Sequence, residues 1–252
     1  MPDPFVDGLI VAAGAAAGGF AQGVTGFAFS VVALSFWAWA LPPETAAPLA
    51  VFGALTGQIS SLASVRRGFE WPKIVPLIIG GWVGVPAGVY LLRNAQPQSF
   101  RLTIGILLTF YSLFALIVRD PGVVKRGGRG LDAFFGLIGG VLGGLGGMSG
   151  FVPAIWTQLR GWRREVRRAT MQAYNIAMHV VTIAIYAATG TIAHADLHQF
   201  LIVAPAMLIP SWLGARLFTR LTTERAFTRA VLAALLASGT ALIYGALRAF
   251  RG

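Results

Sequence analysis

Residues 139–159 read GGVLGGLGGMSGFVPAIWTQL and end an apolar region that extends from 131 to 159. The run GGMSG, Gly146 to Gly150, interrupts this region, because glycine and serine weaken a helix interior. The first apolar region, 5–41, is interrupted in the same way by GVTG, Gly23 to Gly26. As one straight helix it would be about 55 Å long, whereas a bilayer core is about 30 Å thick. Both regions are therefore predicted to be broken helices.

Composition places the chain in a membrane. Of its 252 residues, 56% are hydrophobic and 12% charged, whereas a soluble domain carries about 25% charged residues. The absence of cysteine excludes disulfides, thiolate metal sites and a cysteine nucleophile. We expect an all-α integral membrane protein with the first apolar region retained, because residues 1–7 contain no Lys or Arg. The apolar regions are 5–41, 45–65, 74–92, 102–118, 131–159, 169–191, 197–219 and 226–247.

The distribution of basic residues predicts the topology. The net charge of +11 comes from short clusters between apolar regions, which is typical of cytoplasmic loops and not of a nucleic-acid interface. With the N-terminus outside, two hairpins at 5–41 and 131–159 put 16 Lys and Arg inside and 4 outside, whereas two single crossings give 11 and 9. The positive-inside rule favours the hairpins. It predicts a multi-pass protein of the bacterial inner membrane with cytoplasmic basic loops.

Features of the two halves recur at an offset of 124 residues. Gly23–Phe27 corresponds to Gly147–Phe151, Pro86 to Pro210, and Arg101 to Arg225. We therefore predict two repeats of four helical segments, at 1–119 and 131–252, joined by a basic cytoplasmic linker at 120–130. Each repeat is a hairpin followed by three crossings, so an odd number of crossings inverts the second repeat. Inverted repeats are typical of secondary transporters that bind their substrate near mid-bilayer.

The hairpin tips are the candidate substrate site. A break leaves helix amides unpaired at membrane depth, which is tolerated only beside protein or a wet cavity, and such amides suit an anion. Hydroxyls at the tips could instead serve only as helix caps. The predicted substrate-binding residues are the tip residues and nearby polar side chains: Gln22, Gly23, Thr25, Gly26, Gly147, Ser149, Gly150, Gln158 and Asn175.

A polar stripe on one helical face comprises Gln172, Asn175, His179 and Thr182. In an apolar helix it should face the bundle interior or a cavity. His179 could couple a proton or could be a neutral, hydrogen-bonded histidine. Arg160 could attract an anion to the inner mouth, although its cluster, 160–168, also serves as a topology signal. No carboxylate lies deep in a predicted crossing, so a small anion fits better than a cation; no metal and no cofactor are expected.

Two stretches resemble the TauE/SafE sulfite-exporter family: GGFAQGVTGF, residues 18–27, and GGVLGGLGGMSGFVPAIWTQLRGW, residues 139–162. The resemblance covers essentially the whole chain. It implies an inner-membrane transporter, mostly prokaryotic, of sulfite, sulfoacetate or related small anions, and it supports the tips as the site. It does not fix the substrate. Phe151 stands where the family pattern has a small residue or proline.

Several functions are weighed against one another. The favoured one is a secondary transporter, exporting a small sulfur-containing anion by alternating access. An anion channel would use the same pore chemistry, and a carboxylate such as lactate could be the cargo. An intramembrane enzyme lacks a nucleophile, metal cluster or carboxylate pair, and a scaffold needs no glycine breaks. The partners expected are therefore the anion and the lipid bilayer, with a homo-oligomer left open.

Overall fold

The structure is a computed structural model that describes residues 4–26, 28–62, 68–117, 124, 127–220 and 224–250. These residues form helices and no strand. The α-helices are α1 Pro4–Thr25, α2 Phe29–Ala40, α3 Pro43–Ser61, α4 Trp71–Arg93, α5 Pro97–Ile117, α6 Arg129–Gly146, α7 Phe151–Leu159, α8 Arg164–Ala188, α9 Leu197–Arg220 and α10 Glu224–Ala249, with a 3-10 turn at Thr191–His194. Most of the predicted linker, 120–130, lies outside the described residues.

Both long apolar regions are broken at the predicted glycines. Gly26 follows α1 with φ of +88°, and Gly147 ends α6 with φ of +75°, a conformation that side chains with a Cβ rarely adopt. The chain then folds back. In the first break, Trp37 Nε1 donates to the Ile10 carbonyl oxygen at 3.2 Å. In the second, the rings of Phe135 and Trp156 stack with centroids 4.1 Å apart. Each pair of helices is therefore antiparallel.

Two long interfaces bring parallel helices into close contact through glycine. Along α4 and α6, a Cβ added at Gly84 or Gly140 would come closer than 3 Å to a carbonyl oxygen of the facing helix. The partners advance together: Gly136 faces Leu77, and Gly144 faces Val85. Small residues spaced by four allow helix backbones in membranes to approach this closely.

The second of these interfaces joins α1 to α9. Gly19 faces Met207, and Gly23 faces Ser211, so both residue numbers again rise together and the helices run parallel. Counted from the start of each half, α1 corresponds to α6, and α4 corresponds to α9. The contact of α1 with α9 is therefore the counterpart of the contact of α6 with α4. The same exchange relates α3 to α8 and α5 to α10, and each of these pairs is in contact.

The remaining directions follow from contacts of α3 and α8. Ser30 of α2 donates to the Ala50 carbonyl oxygen at 3.1 Å, and Gln58 donates to Gly26, so α3 runs parallel to α1. The C-terminal end of α3 contacts Gln172, and the 3-10 turn after α8 also contacts α3. Both contacts are compatible only with antiparallel α3 and α8. Since Tyr174 and Tyr186 bond Gly136 and Gly144 in turn, α8 is parallel to α6, and α6 is opposite to α1.

Among the described residues, five helices are long and apolar enough to cross a membrane: Val6–Thr25, Trp71–Arg93, Pro97–Ile117, Leu197–Arg216 and Val231–Ala249. The predicted crossings at 45–65 and 169–191 correspond to α3 and α8, which are not among them. Both carry buried polar residues, and α8 begins with an arginine cluster, which lowers the mean hydropathy. Their buried polar residues, such as Gln58 on α3 and Asn175 and His179 on α8, lie inside the bundle.

The basic loops meet at one end of the molecule. Lys73 Nζ lies 2.7 Å from Glu70 Oε2, and Arg163 Nη2 lies 3.6 Å from Glu70 Oε1. The hydrogen bond from Lys73 holds the pKa of the Glu70 carboxyl below its ordinary value. Val124 of the linker donates to the Leu159 carbonyl oxygen at 2.8 Å. The segments 68–73, 127–130 and 159–168, together with residue 124, therefore form a single face, called the basic face below.

Candidate functional site

A cavity of about 1030 Å³ lies beside the first hairpin tip and the start of α8. Five segments contribute to its wall in addition to the tip: the end of α3, the second half of α5, α7, the first half of α8 and the second half of α9. Its lining includes the tip residues Gln22, Gly23, Val24, Thr25 and Gly26 together with Ser60, Ser61, Gln158, Gln172 and Ser211.

Gln22, one of the lining residues, carries a hydrogen-bond donor that has no partner among the described residues. Its side chain is only 2% exposed. Its Oε1 accepts from the Phe29 amide at 3.1 Å, which joins the last turn of α1 to the first turn of α2. Its Nε2 is buried and has no partner within the described parts of the chain. A buried donor without a partner costs stability, so an acceptor in the cavity would satisfy it.

Two further glutamines hold the tip in place. Gln58 Nε2 donates to the Gly26 carbonyl oxygen at 3.1 Å. Gln172 Nε2 donates to the Gln58 carbonyl oxygen and lies 3.3 Å from Ser61 Oγ. These contacts join the first tip to α3, and α3 to α8. Together with the bond from the Phe29 amide of α2, they fix the position of Gln22.

The Thr25 hydroxyl is already engaged at the tip. It donates to the Ala21 carbonyl oxygen at 2.8 Å and accepts from the Ala28 amide at 3.1 Å. The second contact satisfies one of the free amides at the start of α2. Thr25 therefore shapes the tip while it lines the cavity.

The wall nearest the basic face is cationic. Arg164, Arg167 and Arg168 of α8 line the cavity, and the Arg167 Nε is buried without a partner among the residues described. Arg216 lies over the ring of Trp212, another lining residue, at 3.8 Å from its centroid. Among the lining residues that the structure describes, none is a carboxylate. The remaining wall is apolar and aromatic, with Tyr111, Phe114, Ile155, Met171 and Leu208.

The second hairpin tip lies apart from the cavity. Ser149 Oγ donates to Asn175 Oδ1 at 3.0 Å, and both residues are almost fully buried. Gly147 packs against Ser30 and Val51. The first tip contacts α3 at Gln58, and the second tip contacts it at Val51. These positions are seven residues apart, so the two tips overlap by about 10 Å along the axis of α3.

Arg160 and His179, which the sequence singled out, also lie outside the cavity lining. Arg160 Nη1 lies 3.3 Å from Asp132 Oδ1, which also accepts from Trp156 Nε1 at 2.8 Å. This buried cluster fastens α7 to α6. His179 is 2% exposed, and its Nδ1 has no partner in the described part of the chain. The anion-attracting role of Arg160 and the proton-coupling role of His179 stay predictions.

The structure thus divides the predicted substrate-binding residues into two groups. Gln22, Gly23, Thr25, Gly26 and Gln158 line the cavity, whereas Gly147, Ser149, Gly150 and Asn175 form a separate buried cluster. The sequence reasoning did not place Arg164, Arg167 and Arg168 in the site, because their cluster was interpreted mainly as a topology signal. Their spacing of three and four residues along α8, ahead of the polar stripe, could have indicated a shared face.

Several helices long and apolar enough to cross a membrane define a multi-pass membrane protein. Its cavity is lined in part by arginines. Residues 10–242 match the family model described as Sulfite exporter TauE/SafE, so the chain belongs to this family of membrane transporters. The "Probable sulfite/organosulfonate exporter TauE" of Cupriavidus necator is 26% identical over 219 residues, which is 83% of this chain and 84% of the relative. No solved structure matches the chain. The family resemblance inferred from the sequence is thereby confirmed.

Proposed function

We propose that the protein is a secondary transporter that exports a small sulfur-containing anion, sulfite or an organosulfonate, across the bacterial inner membrane. The relative in Cupriavidus necator carries a matching description. The observation that carries the proposal is the cavity beside the first tip: arginines of α8 line it, no carboxylate is among its lining residues in the described parts of the chain, and Gln22 in its wall has an unpaired donor, Nε2.

Recognition proceeds in two steps in this scheme. The arginines of α8 raise the local concentration of anions at the basic face, because clustered positive charge focuses the electric field in a cleft. The anion then moves to the tip, where Gln22 Nε2 donates a hydrogen bond to one of its oxygens. A sulfonate or sulfite presents several acceptor oxygens, so it can bind Gln22 and an arginine at the same time.

Alternating access between inverted repeats is the proposed mechanism. It is supported by the opposite directions of α1 and α6 and by the reciprocal pairing of α1 with α9 and α4 with α6. In this form the cavity lies beside the first tip. Exchange of the two repeats would close it and open an equivalent cavity beside the second tip. The basic face is assigned to the cytoplasm, as the positive-inside rule requires.

The test is transport by purified protein in proteoliposomes, with labelled sulfite and sulfoacetate, with and without a pH gradient. Gln22→Glu is the decisive variant. Its carboxylate keeps an acceptor for the Phe29 amide but removes the free donor and adds a negative charge. We expect saturable uptake by the wild-type protein and loss of uptake by Gln22→Glu.

Gln199→Glu is the matched control. Gln199 Oε1 also accepts a backbone amide, that of Asp196 at 3.2 Å, but it lies in the first turn of α9 and outside the cavity lining. This variant should transport as the wild type does. Full activity of Gln22→Glu would refute the site. Uptake of lactate in place of both sulfur anions would favour a carboxylate carrier, and single-channel currents would favour a channel.

A further inference from the structure

The polar stripe of α8 continues from the cavity into the protein interior. Gln172, Asn175, His179 and Thr182 are all at most 5% exposed. Gln172 lines the cavity, and the ten residues from there to Thr182 extend about 15 Å along the helix axis. Because α8 begins at the basic face with Arg164, the stripe leads from the cavity towards the opposite face.

Three polar atoms along this path have no partner in the described parts of the chain. They are His179 Nδ1, Thr182 Oγ1 and, on the facing helix α3, Gln58 Oε1. An unsatisfied buried polar group destabilises the folded state. If the Thr182 hydroxyl served only to fill space, a methyl group in its place would give an equally or more stable protein. Three such atoms, spread along the stripe from the level of Gln172 to Thr182, therefore indicate a use in a second arrangement of the same residues.

The second hairpin covers the stripe. Ser149 at its tip bonds Asn175, and Tyr186, one turn beyond Thr182, donates to the Gly144 carbonyl oxygen at 2.7 Å. The internal repeat relates Thr182 to Gln58, which lie 124 residues apart. Gln58 holds the first tip, beside the cavity. The repeat makes Thr182 its counterpart on α8, two turns beyond Asn175, which contacts the second tip.

From this geometry we infer that Asn175, His179 and Thr182 line the second half of the anion's route, which opens to the face opposite the basic loops when the second hairpin moves off the stripe. The inference rests on the proposed function for the identity of the cargo. The route itself is defined by position: cationic side chains line the first half, and neutral donors line the second. An anion would pass from arginines to uncharged hydrogen-bond donors before release.

Because the chain has no cysteine, a single Thr182→Cys can be labelled without background. The probe is a membrane-impermeant thiosulfonate reagent that carries a sulfonate, applied to either side of sealed vesicles of known orientation. We expect Thr182→Cys to react from the face opposite the basic loops. Failure to react from that face would overturn the inference, whatever the cargo is.

Thr170→Cys is the matched control. Thr170 is on the same helix, is equally buried at 0% exposure, and also has a hydroxyl without a partner in the described structure. It lies about 180° around the helix from His179, away from the stripe. Thr170→Cys should not react from the face opposite the basic loops. Equal reaction there by both variants would contradict the inference.

A second measurement separates this inference from the proposed function. Thr182→Val should keep sulfoacetate binding by the purified protein, measured by titration calorimetry, and should lose transport, whereas Thr170→Val should keep both. Wild-type transport by Thr182→Val would overturn the inference and leave the proposed function standing. Thr182→Cys could react from the face opposite the basic loops while the wild-type protein transports neither sulfite nor sulfoacetate. That combination would support the route and refute the cargo.

Discussion

At the scale of single residues, Gln22 shows how one side chain can both build and equip a site. Its oxygen closes the hairpin by accepting the Phe29 amide, and its nitrogen is buried beside Gly57 of α3 and has no partner in the described parts of the chain. A hydrophobic residue at this position would leave the Phe29 amide unsatisfied, and a serine would be too short to reach it. An amide is the group that supplies an acceptor and a donor at once.

The cavity arginines allow a prediction about affinity. Arg167→Gln removes a charge from the lining, and a charge near a protein surface contributes about 1 kcal/mol, roughly a fivefold change in KM. We expect KM for sulfoacetate to rise by that order and kcat to change little, because the charge acts on capture. The measurement is initial-rate transport at low salt.

Arg163→Gln is the control for this prediction. Arg163 lies on the same face with a side chain 78% exposed and lies 3.6 Å from Glu70, but it does not line the cavity. Its replacement should leave KM unchanged. An equal rise of KM in both variants would mean that the net charge of the face, not the cavity lining, governs capture.

At the scale of helices, glycine has two distinct uses in this protein. Gly26 and Gly147 end helices in a left-handed conformation, so they determine where each hairpin turns. Gly84, Gly140 and their neighbours instead permit the close approach of α4 and α6. The sequence alone does not separate these uses, because both produce the same run of small residues.

The packing role predicts a large difference between two glycines of α6. A Cβ at Gly140 would come within 3 Å of Gly81, whereas a Cβ at Gly130 would meet nothing within 4 Å. Gly140→Ala should therefore destabilise the protein by about 1–3 kcal/mol through overpacking. Gly130→Ala should be neutral or stabilising by up to about 1 kcal/mol, because alanine favours helix.

Thermal unfolding in detergent measures both variants, with the unfolding midpoint as the readout. A midpoint for Gly140→Ala equal to that of the wild type would show that α4 and α6 can separate without cost.

At the scale of the whole molecule, the basic loops gather on one face, although they come from distant parts of the chain. Loops 68–73 and 159–168 are joined by the contacts of Glu70 with Lys73 and Arg163. Such an arrangement places the arginine-lined cavity on the side with the most positive charge. In a cell this should be the cytoplasmic side.

Labelling of single cysteines tests that orientation. Gly128→Cys lies in an open position at the basic face, where an added Cβ meets nothing within 4 Å. His198→Cys lies at an exposed position in the first turn of α9, on the opposite face. We expect an impermeant thiol reagent to reach His198→Cys from the periplasm and Gly128→Cys only after the membrane is opened. The reverse pattern would invert the proposed direction of export.

Much of this architecture follows from the sequence by itself. The helical membrane class, the two breaks, the buried face of α8 and the family all follow from local patterns, because hydropathy, glycine spacing and helical periodicity are properties of neighbouring residues. The division of the chain at 120–130 and the inversion of the repeats stay predictions. They concern how whole segments are oriented in a bilayer.

The tertiary structure alone decided which residues share the site. It brought Arg164, Arg167 and Arg168 to the first tip, while it paired Arg160 with Asp132 and placed Ser149 and Asn175 in a separate buried cluster. A local pattern cannot predict this division, because it depends on how far the two hairpins pass each other along α3. That overlap is set by the packing of α1 on α9 and of α4 on α6, between residues far apart in the chain.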